Sequence, residues 1–281
     1  MIQDPLISAQ ALKALVNEPD TRVLDATWVP PFLKDRPNGK TCFAEGHIPG
    51  AQYFDIDDVA DPDTALSHML PSPDLFGAKL SALGIGNDSH VVIYDSNGFF
   101  ASARAWWMLR VMGHSKVQVL DGGLEAWSGA DGDVTTEIVS QIPIATFEAA
   151  FNPDLVRDMS AMQAHIAEND SKILDARDQG RFNGTSPEPR AGLPSGHMPG
   201  SYCVPTSVLL TPDKMMKTTA DLLPVLEDFQ NAPVVASCGS GVSAAVIALA
   251  LARIGNWQAA VYDGSWSEWA AHPDNPIATA P

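Results

Sequence analysis

The chain is predicted to be an α/β protein of two similar units, each a mostly parallel sheet flanked by helices. Three observations carry this. Sequence blocks recur in the same order along the chain. Short apolar strands alternate with helical stretches. The length of 281 residues accommodates two domains of ordinary size, each with its own core.

The recurrence is explicit. Val23-Leu24-Asp25-Ala26 returns as Ile173-Leu174-Asp175-Ala176, and Gly46-His47-Ile48-Pro49-Gly50-Ala51 returns as Gly196-His197-Met198-Pro199-Gly200-Ser201. Val91-Val92-Ile93-Tyr94-Asp95 corresponds more loosely to Pro233-Val234-Val235-Ala236-Ser237-Cys238. The block starting Val119-Leu120-Asp121-Gly122-Gly123 and ending at Trp127 returns as Val261-Tyr262-Asp263-Gly264-Ser265 ending at Trp269. Ordered recurrence of this kind is duplication. The domains are read as 1–134 and 154–281, joined by a linker over 135–153.

Each element follows from local pattern. Residues 8–17 place Ala11, Leu12, Leu15 and Val16 on one helical face, and strand Val23–Asp25 follows. The Gly-His-Ile-Pro-Gly turn leads into strand Gln52–Phe54. Pro73 to Leu83 has helical spacing and stops at Gly84. Strand Val91–Tyr94, helix Ala101–Val111, strand Val117–Leu120 and a short helix ending at Trp127 complete the unit. Such alternation implies a parallel sheet covered on both faces, with ligands at the carboxyl ends of its strands. In the linker, Ile142, Ile144, Phe147 and Phe151 are expected to pack. His272 to Pro281 is expected to be an extended tail. Trp106, Trp107, Trp127, Trp266 and Trp269 are expected in the core or at a domain interface.

Composition narrows the function. There are 34 acidic and 17 basic residues, a formal charge of −17. That field argues against nucleic acid or an anionic membrane surface as partner, while leaving room for an anionic small substrate held by local arginines. The three cysteines, Cys42, Cys203 and Cys238, form no C-x-x-C and no zinc spacing, so neither a metal nor another cofactor is expected and a reducing compartment fits. Met1-Ile2-Gln3-Asp4-Pro5 lacks the basic-then-apolar pattern of a signal peptide, and the run Val242 to Ala252 is too short to span a bilayer. A cytoplasmic, monomeric protein is expected.

The chemistry is expected at Cys238. The apolar, β-branched run 232–236 predicts a buried strand, and Val242 to Arg253 predicts a buried helix closed by Gly255-Asn256. The cysteine therefore sits on a glycine-containing turn between strand end and helix start. Unpartnered backbone N–H groups there can face an anion, which favours a thiolate. Most lone cysteines are buried structural thiols. Gly239 and Gly241 argue otherwise, because they let the loop Gly239, Ser240, Gly241, Val242 and Ser243 curl with its amides inward. Cys42, in a polar loop, and Cys203, in an apolar strand, are read as structural. Asp95 stands at the Cys238 position of the first unit, followed by the bulky Ser96-Asn97-Gly98-Phe99-Phe100, so that unit is expected to be chemically silent.

Arg181 and Arg190 lie in the loop-like segment Gly180 to Arg190. Arginine forks suit a carboxylate, but a surface salt bridge with Glu188 is the simpler account of the residues alone. His47 and His197, in a turn both units keep, are read as turn structure.

These residues resemble the rhodanese family over nearly the whole chain, as a tandem-rhodanese sulfurtransferase. The segments that carry the resemblance are Gly46 to Ala51, Asp55-Ile56-Asp57, His68-Met69-Leu70-Pro71, Ala105 to Arg110, Asp121-Gly122-Gly123, Gly180-Arg181-Phe182 and Asp263 to Trp269. The active loop separates two branches. Thiosulfate sulfurtransferases carry a basic Cys-Arg-Lys-Gly-Val-Thr loop, and 3-mercaptopyruvate sulfurtransferases carry Cys-Gly-Ser-Gly-Val-Thr. This chain has Cys-Gly-Ser-Gly-Val-Ser and is similar to the second. The resemblance implies 3-mercaptopyruvate as donor, a persulfide on Cys238, and a thiol acceptor such as thioredoxin or a small thiol, or cyanide. It implies Arg181 and Arg190 as holders of the 2-oxo acid, and a proton relay of Ser240, His68 and Asp57. The alternatives are a thiosulfate enzyme and a non-catalytic binding module. A phosphatase of the Cys-x5-Arg kind would need a cation where Ala244 stands.

Overall fold

A computed structural model describes residues 2–30, 33 and 35–279. Met1 of the N-terminal stretch and the last two residues of the tail lie outside the described residues. The chain forms two compact units. One comprises Met1–Pro62, Leu70–Asn152 and Asp213–Met215; the other comprises Asp63–Met69, Pro153–Pro212 and Met216–Pro281.

In the first unit, β1 (Leu6–Ile7), α1 (Ala9–Leu15), β2 (Thr21–Asp25), α2 (Gly39–Glu45), β3 (Gln52–Tyr53) and α3 (Pro73–Ala82) come first. Strand β4 (His90–Tyr94), α4 (Phe100–Val111), β5 (Val117–Leu120) and α5 (Gly123–Gly129) follow. The strands form one parallel sheet in the order β1-β5-β4-β2-β3. The second unit repeats this with β6 (Val156–Arg157), α6 (Met159–Glu168), β7 (Lys172–Asp175), α7 (Gln179–Phe182), β8 (Tyr202–Cys203) and α8 (Thr206–Leu209). It continues with α9 (Thr219–Leu226), β9 (Val234–Ser237), α10 (Ala244–Arg253), β10 (Ala260–Tyr262) and α11 (Ser265–Trp269). Its parallel sheet has the order β6-β10-β9-β7-β8. The α/β expectation is met in both units, and the repeat is a repeat of topology.

The helices begin where the sequence supplies a cap. Ser8, Asn38, Ser72, Asp158, Asp178 and Thr218 each accept a backbone N–H of the first turn through the side chain, which satisfies one of the otherwise open amides. Helix α10 is different. Ala244 to Ala252 are all buried and no side chain caps its start. A helix apolar on every side is a core helix, held by packing rather than by propensity. The five tryptophans Trp106, Trp107, Trp127, Trp266 and Trp269 are all buried, as expected.

The repeated Gly-His turns are structural in the same way twice. His47 is buried, stacks on Phe43 with ring centroids 3.9 Å apart and places Nδ1 2.7 Å from the Phe43 carbonyl. His197 stacks on Phe182 at 3.8 Å and places Nδ1 2.8 Å from the Phe182 carbonyl. Each turn also accepts an antiparallel bridge from a distant segment: His47 from Thr135, His197 from Ala278. The tail expected to be extended from His272 instead turns first, with Asn275 N donating to the His272 carbonyl at 3.2 Å, and runs extended only from Pro276 to its pairing at Ala278.

Local pattern misplaced some segments. Cys42 lies on helix α2, not in a polar loop, because Asn38 caps that helix by accepting from Thr41 N at 2.9 Å. Strand β1 was not anticipated; it is two residues long and exists only through its pairing with β5. Of the linker residues expected to pack, Phe147 is buried but Ile142, Ile144 and Phe151 are exposed. Phe147 has an aromatic partner, with its ring edge-on to Phe76 at 6.0 Å. No helix among the described residues is long and apolar enough to cross a membrane.

Candidate active site

Strand register builds the site. Pairing of β7 with β9 sets Asp175 opposite Ser237, so the residues after each strand emerge side by side at the carboxyl edge of the sheet. Cys238 follows Ser237 and is 1% exposed. Its N–H donates to Ser265 Oγ at 3.1 Å, and its carbonyl accepts from Trp266 N at 3.0 Å. The Gly239 carbonyl accepts from Ser267 N at 3.0 Å and from the Ser267 hydroxyl. The start of α11 therefore pins the first half of the loop.

The second half is open. Gly241 takes the left-handed conformation at φ +78°, which a side chain disfavours. Among the described residues, no carbonyl or side chain accepts from the N–H groups of Gly239, Ser240, Val242 or Ser243. These amides lead into the N-terminus of α10 and form a concavity for a negative charge.

The first unit supplies an internal control. Asp95 follows β4 as Cys238 follows β9. Its Oδ1 accepts from the N–H groups of Asn97, Gly98 and Phe99 at 3.3, 2.9 and 3.0 Å. Its Oδ2 accepts from Ser102 N at 3.0 Å and the Ser102 hydroxyl at 2.8 Å. A carboxylate of the chain itself occupies the anion position of that loop.

Arg181 and Arg190 both reach the Cys238 loop. A Cβ on Gly239 would lie 3.1 Å from Arg181 Nη2 and 3.4 Å from Arg190 Nη1, so both guanidiniums lie against Gly239 and a side chain there would press on Arg181. Arg181 sits on the short helix α7, capped by Asp178, which corrects the reading of its whole segment as loop. The Glu188 salt bridge is also present: Arg181 Nε and Nη2 donate to its two carboxylate oxygens at 3.2 and 2.6 Å. Ion pairing and approach to the loop coexist in the same side chain. Among the described residues, Arg190 makes no salt bridge.

Behind Arg181 runs a chain of charge that sequence reasoning passed over. Glu188 also accepts from Arg177 Nη1 at 2.8 Å. Arg177 grips Asp175 through Nε and Nη2, the latter at 2.6 Å, and lies 4.2 Å over the Trp266 ring. The side chains of Asp175, Arg177 and Glu188 are 0, 1 and 2% exposed. Arg177 directly follows the recurring Leu-Asp-Ala block, where the first unit has Thr27; that difference between repeats was the available signal.

The remaining expected residues divide between the units. Ser240, in the loop, and His68 are both buried, and His68 takes a left-handed φ of 66°. His68 belongs to the second unit, through the segment Asp63–Met69. Asp57 belongs to the first, where its Oδ2 accepts from Trp28 Nε1 at 2.7 Å. The other two cysteines are poor nucleophiles. Burial pushes the Cys203 thiol up to about 11 and raises that of Cys42 as well, and the thiolate is the reactive form.

Comparison with known proteins agrees with this architecture. The rhodanese-like domain model matches residues 8–130 and again 158–272. The chain is 41% identical over 302 aligned positions to thiosulfate/3-mercaptopyruvate sulfurtransferase 1, mitochondrial, of Arabidopsis thaliana, covering 98% of this chain and 78% of the relative. It is 40% identical to thiosulfate sulfurtransferase of Rattus norvegicus, covering 93% of this chain and 89% of the relative. The crystal structure of SseA from Escherichia coli, described there as a 3-mercaptopyruvate sulfotransferase with a rhodanese fold, superposes with a TM-score of 0.83 at 37% identity, covering 94% of this chain and 99% of that one. With two matched domains spanning most of its length, each carrying the same five-stranded order, the chain belongs to the rhodanese family.

Proposed function

We propose that this chain is a 3-mercaptopyruvate sulfurtransferase that carries the sulfur as a persulfide on Cys238. The observation that carries the reading is the convergence of Arg181 and Arg190 on Gly239, beside a loop whose Gly239, Ser240, Val242 and Ser243 amides are open among the described residues and whose side chains are uncharged. A 2-oxo acid needs its carboxylate and ketone held by forked donors, while the transferred sulfur needs an anion cradle that carries no fixed cation.

The chemistry balances without a cofactor. Arg181 and Arg190 hold mercaptopyruvate with its sulfur towards Cys238. The Cys238 thiolate attacks that sulfur; an S–S bond forms and the substrate C–S bond breaks. The electron pair of the broken bond passes to the pyruvate enolate, which takes up the proton of the substrate thiol and leaves as pyruvate. The outer sulfur of the persulfide bears the negative charge and is cradled by the N–H groups of the loop. Ser240, His68 and Asp57 are assigned to the proton transfer. A thiol acceptor such as thioredoxin or a small thiol, or cyanide in an assay, then takes the outer sulfur and returns the Cys238 thiolate. The protein works as a single chain in the cytoplasm, where its free cysteines remain reduced.

Intact-protein mass spectrometry tests the reading. Mercaptopyruvate should add one sulfur atom to the reduced protein and none to Cys238→Ser. Absence of the added sulfur in the unmodified protein would overturn it. Thiosulfate is the competing donor, because relatives named for it align equally well. A kcat/KM that favours thiosulfate would replace mercaptopyruvate in the assignment.

A further inference from the structure

We infer that Glu188 sets the donor preference of the site by neutralising Arg181, which leaves Arg190 as the single uncompensated cation at the Cys238 loop among the described residues. The inference rests on the sulfurtransferase reading and adds a selectivity residue to it.

The charge count comes from the ion chain. Asp175, Arg177, Glu188 and Arg181 alternate in sign and touch in sequence: Arg177 to Asp175 at 2.6 Å, Arg177 to Glu188 at 2.8 Å and Arg181 to Glu188 at 2.6 Å. Two carboxylates face two guanidiniums, so the chain carries no net charge. Exposed Asp178 adds a further carboxylate 3.9 Å from Arg181 Nε. The compensation is strong because Glu188 is 2% exposed and Arg181 only 19%, and ion pairs away from solvent are weakly screened.

Neutralised is not the same as spent. A guanidinium has five N–H groups, and the Glu188 fork uses Nε and one hydrogen of Nη2. The others remain to orient a donor, and Nη2 is the atom that approaches Gly239. Arg181 therefore contributes direction and hydrogen bonds with little net field. Arg190, with no salt bridge among the described residues, contributes the charge. Gly239, Ser240 and Gly241 contribute none.

One free positive charge matches a monoanionic donor. Mercaptopyruvate at neutral pH carries one carboxylate, its thiol titrating near 8.5 as thiols do. Thiosulfate carries two negative charges, and its second would enter a largely desolvated site without a partner, which is costly. Glu188 thus discriminates by withholding a cation that the chain already possesses, a repulsive element as much as an attractive one.

Glu188→Gln tests this. The amide keeps the shape of the side chain and an oxygen for Arg177 and Arg181, and Arg177 retains Asp175 and the Gly196 carbonyl at 2.7 Å. Steady-state kinetics with both donors and one acceptor should show kcat/KM for thiosulfate rising about tenfold relative to mercaptopyruvate. The gain should appear in KM for thiosulfate, with kcat little changed. An unchanged ratio, or an equal fall with both donors, would show that Glu188 only braces the fold and would overturn the inference. If Glu188→Gln does not fold, Glu188→Asp serves: its shorter side chain withdraws the carboxylate from Arg181, and the ratio should rise by a smaller step. A folded Glu188→Asp with the parental ratio would equally overturn it. The sulfur adduct of the unmodified protein with mercaptopyruvate is read separately, so failure of the functional assignment is distinguishable from failure of this one.

Discussion

Ser265 holds Cys238 from a backbone conformation that few side chains adopt. Its Oγ accepts the Cys238 N–H at 3.1 Å, donates to the Tyr262 carbonyl at 2.8 Å and lies 4.0 Å from Cys238 Sγ, while its own φ is +51°. Gly123 occupies the corresponding place in the first unit at φ +59°. A left-handed non-glycine residue costs about 1–2 kcal/mol, and a buried amide deprived of its acceptor costs about 1–3 kcal/mol. Ser265→Gly relieves the first and incurs the second, so its thermal midpoint should stay within a few degrees of the parent. Ser265→Ala keeps the strain and loses the hydroxyl, and should melt lower than Ser265→Gly. Both should lose kcat/KM with mercaptopyruvate. Equal melting of the two variants would contradict the strain argument.

The Asp95 carboxylate takes five donors inside its own loop. Asp95→Ala strands these groups and should destabilise the protein by about 3 kcal/mol. Asp95→Asn keeps one acceptor oxygen but turns an amide NH2 towards donors, and should lie between. Urea midpoints measure the order. A silent loop that needs no internal anion would show Asp95→Ala unfolding with the parent.

Arg181 and Arg190 should separate under mutation. Arg190 makes no internal salt bridge among the described residues, so Arg190→Ala should raise KM for mercaptopyruvate about 10- to 100-fold, the worth of a charge-assisted pair, with little change in stability. Arg181→Ala also leaves the buried Glu188 Oε2 without its donor, Arg177 holding only Oε1, and should both raise KM and lower the urea midpoint. Equal stability losses in the two variants would contradict this division.

Asp25 carries a pH signature. It is buried beside Thr27, whose N–H donates to Oδ1 at 2.8 Å, and burial raises its carboxyl above the ordinary 3.8. The folded state therefore holds a proton that the unfolded chain has already released. The stability this contributes is fully present below the ordinary carboxylate value and is lost as pH rises through the raised one. Asp25→Asn should flatten that fall in the range above the ordinary carboxylate value while keeping the Thr27 contact. Urea midpoints across that range check it; a parental pH profile in Asp25→Asn would assign the dependence elsewhere.

Asp25 and Asp175 mark the limit of what local sequence carries. Both come from the same recurring block, and the strands bearing them were evident from β-branched runs. The partner of each carboxylate was not. Thr27 and Arg177 stand at the same offset, yet one leaves a carboxylate facing burial and the other starts an ion chain that reaches the active loop. Helix α2 and the exposure of Ile144 were missed for a related reason: a single cap, or the lack of a facing apolar surface, outweighed composition.

The amino-acid sequence by itself determined the duplication, the parallel α/β class, the loop between β9 and α10 and the contrast of Cys238 with Asp95. These are carried by periodicity and by short local motifs, which need only neighbouring residues to be read. Only the tertiary structure decided that Arg181 and Arg190 converge on Gly239 and that Ser265 grips the Cys238 amide. Those contacts join strand ends and loops far apart in sequence, and parallel register, not local pattern, brings them to one edge of the sheet.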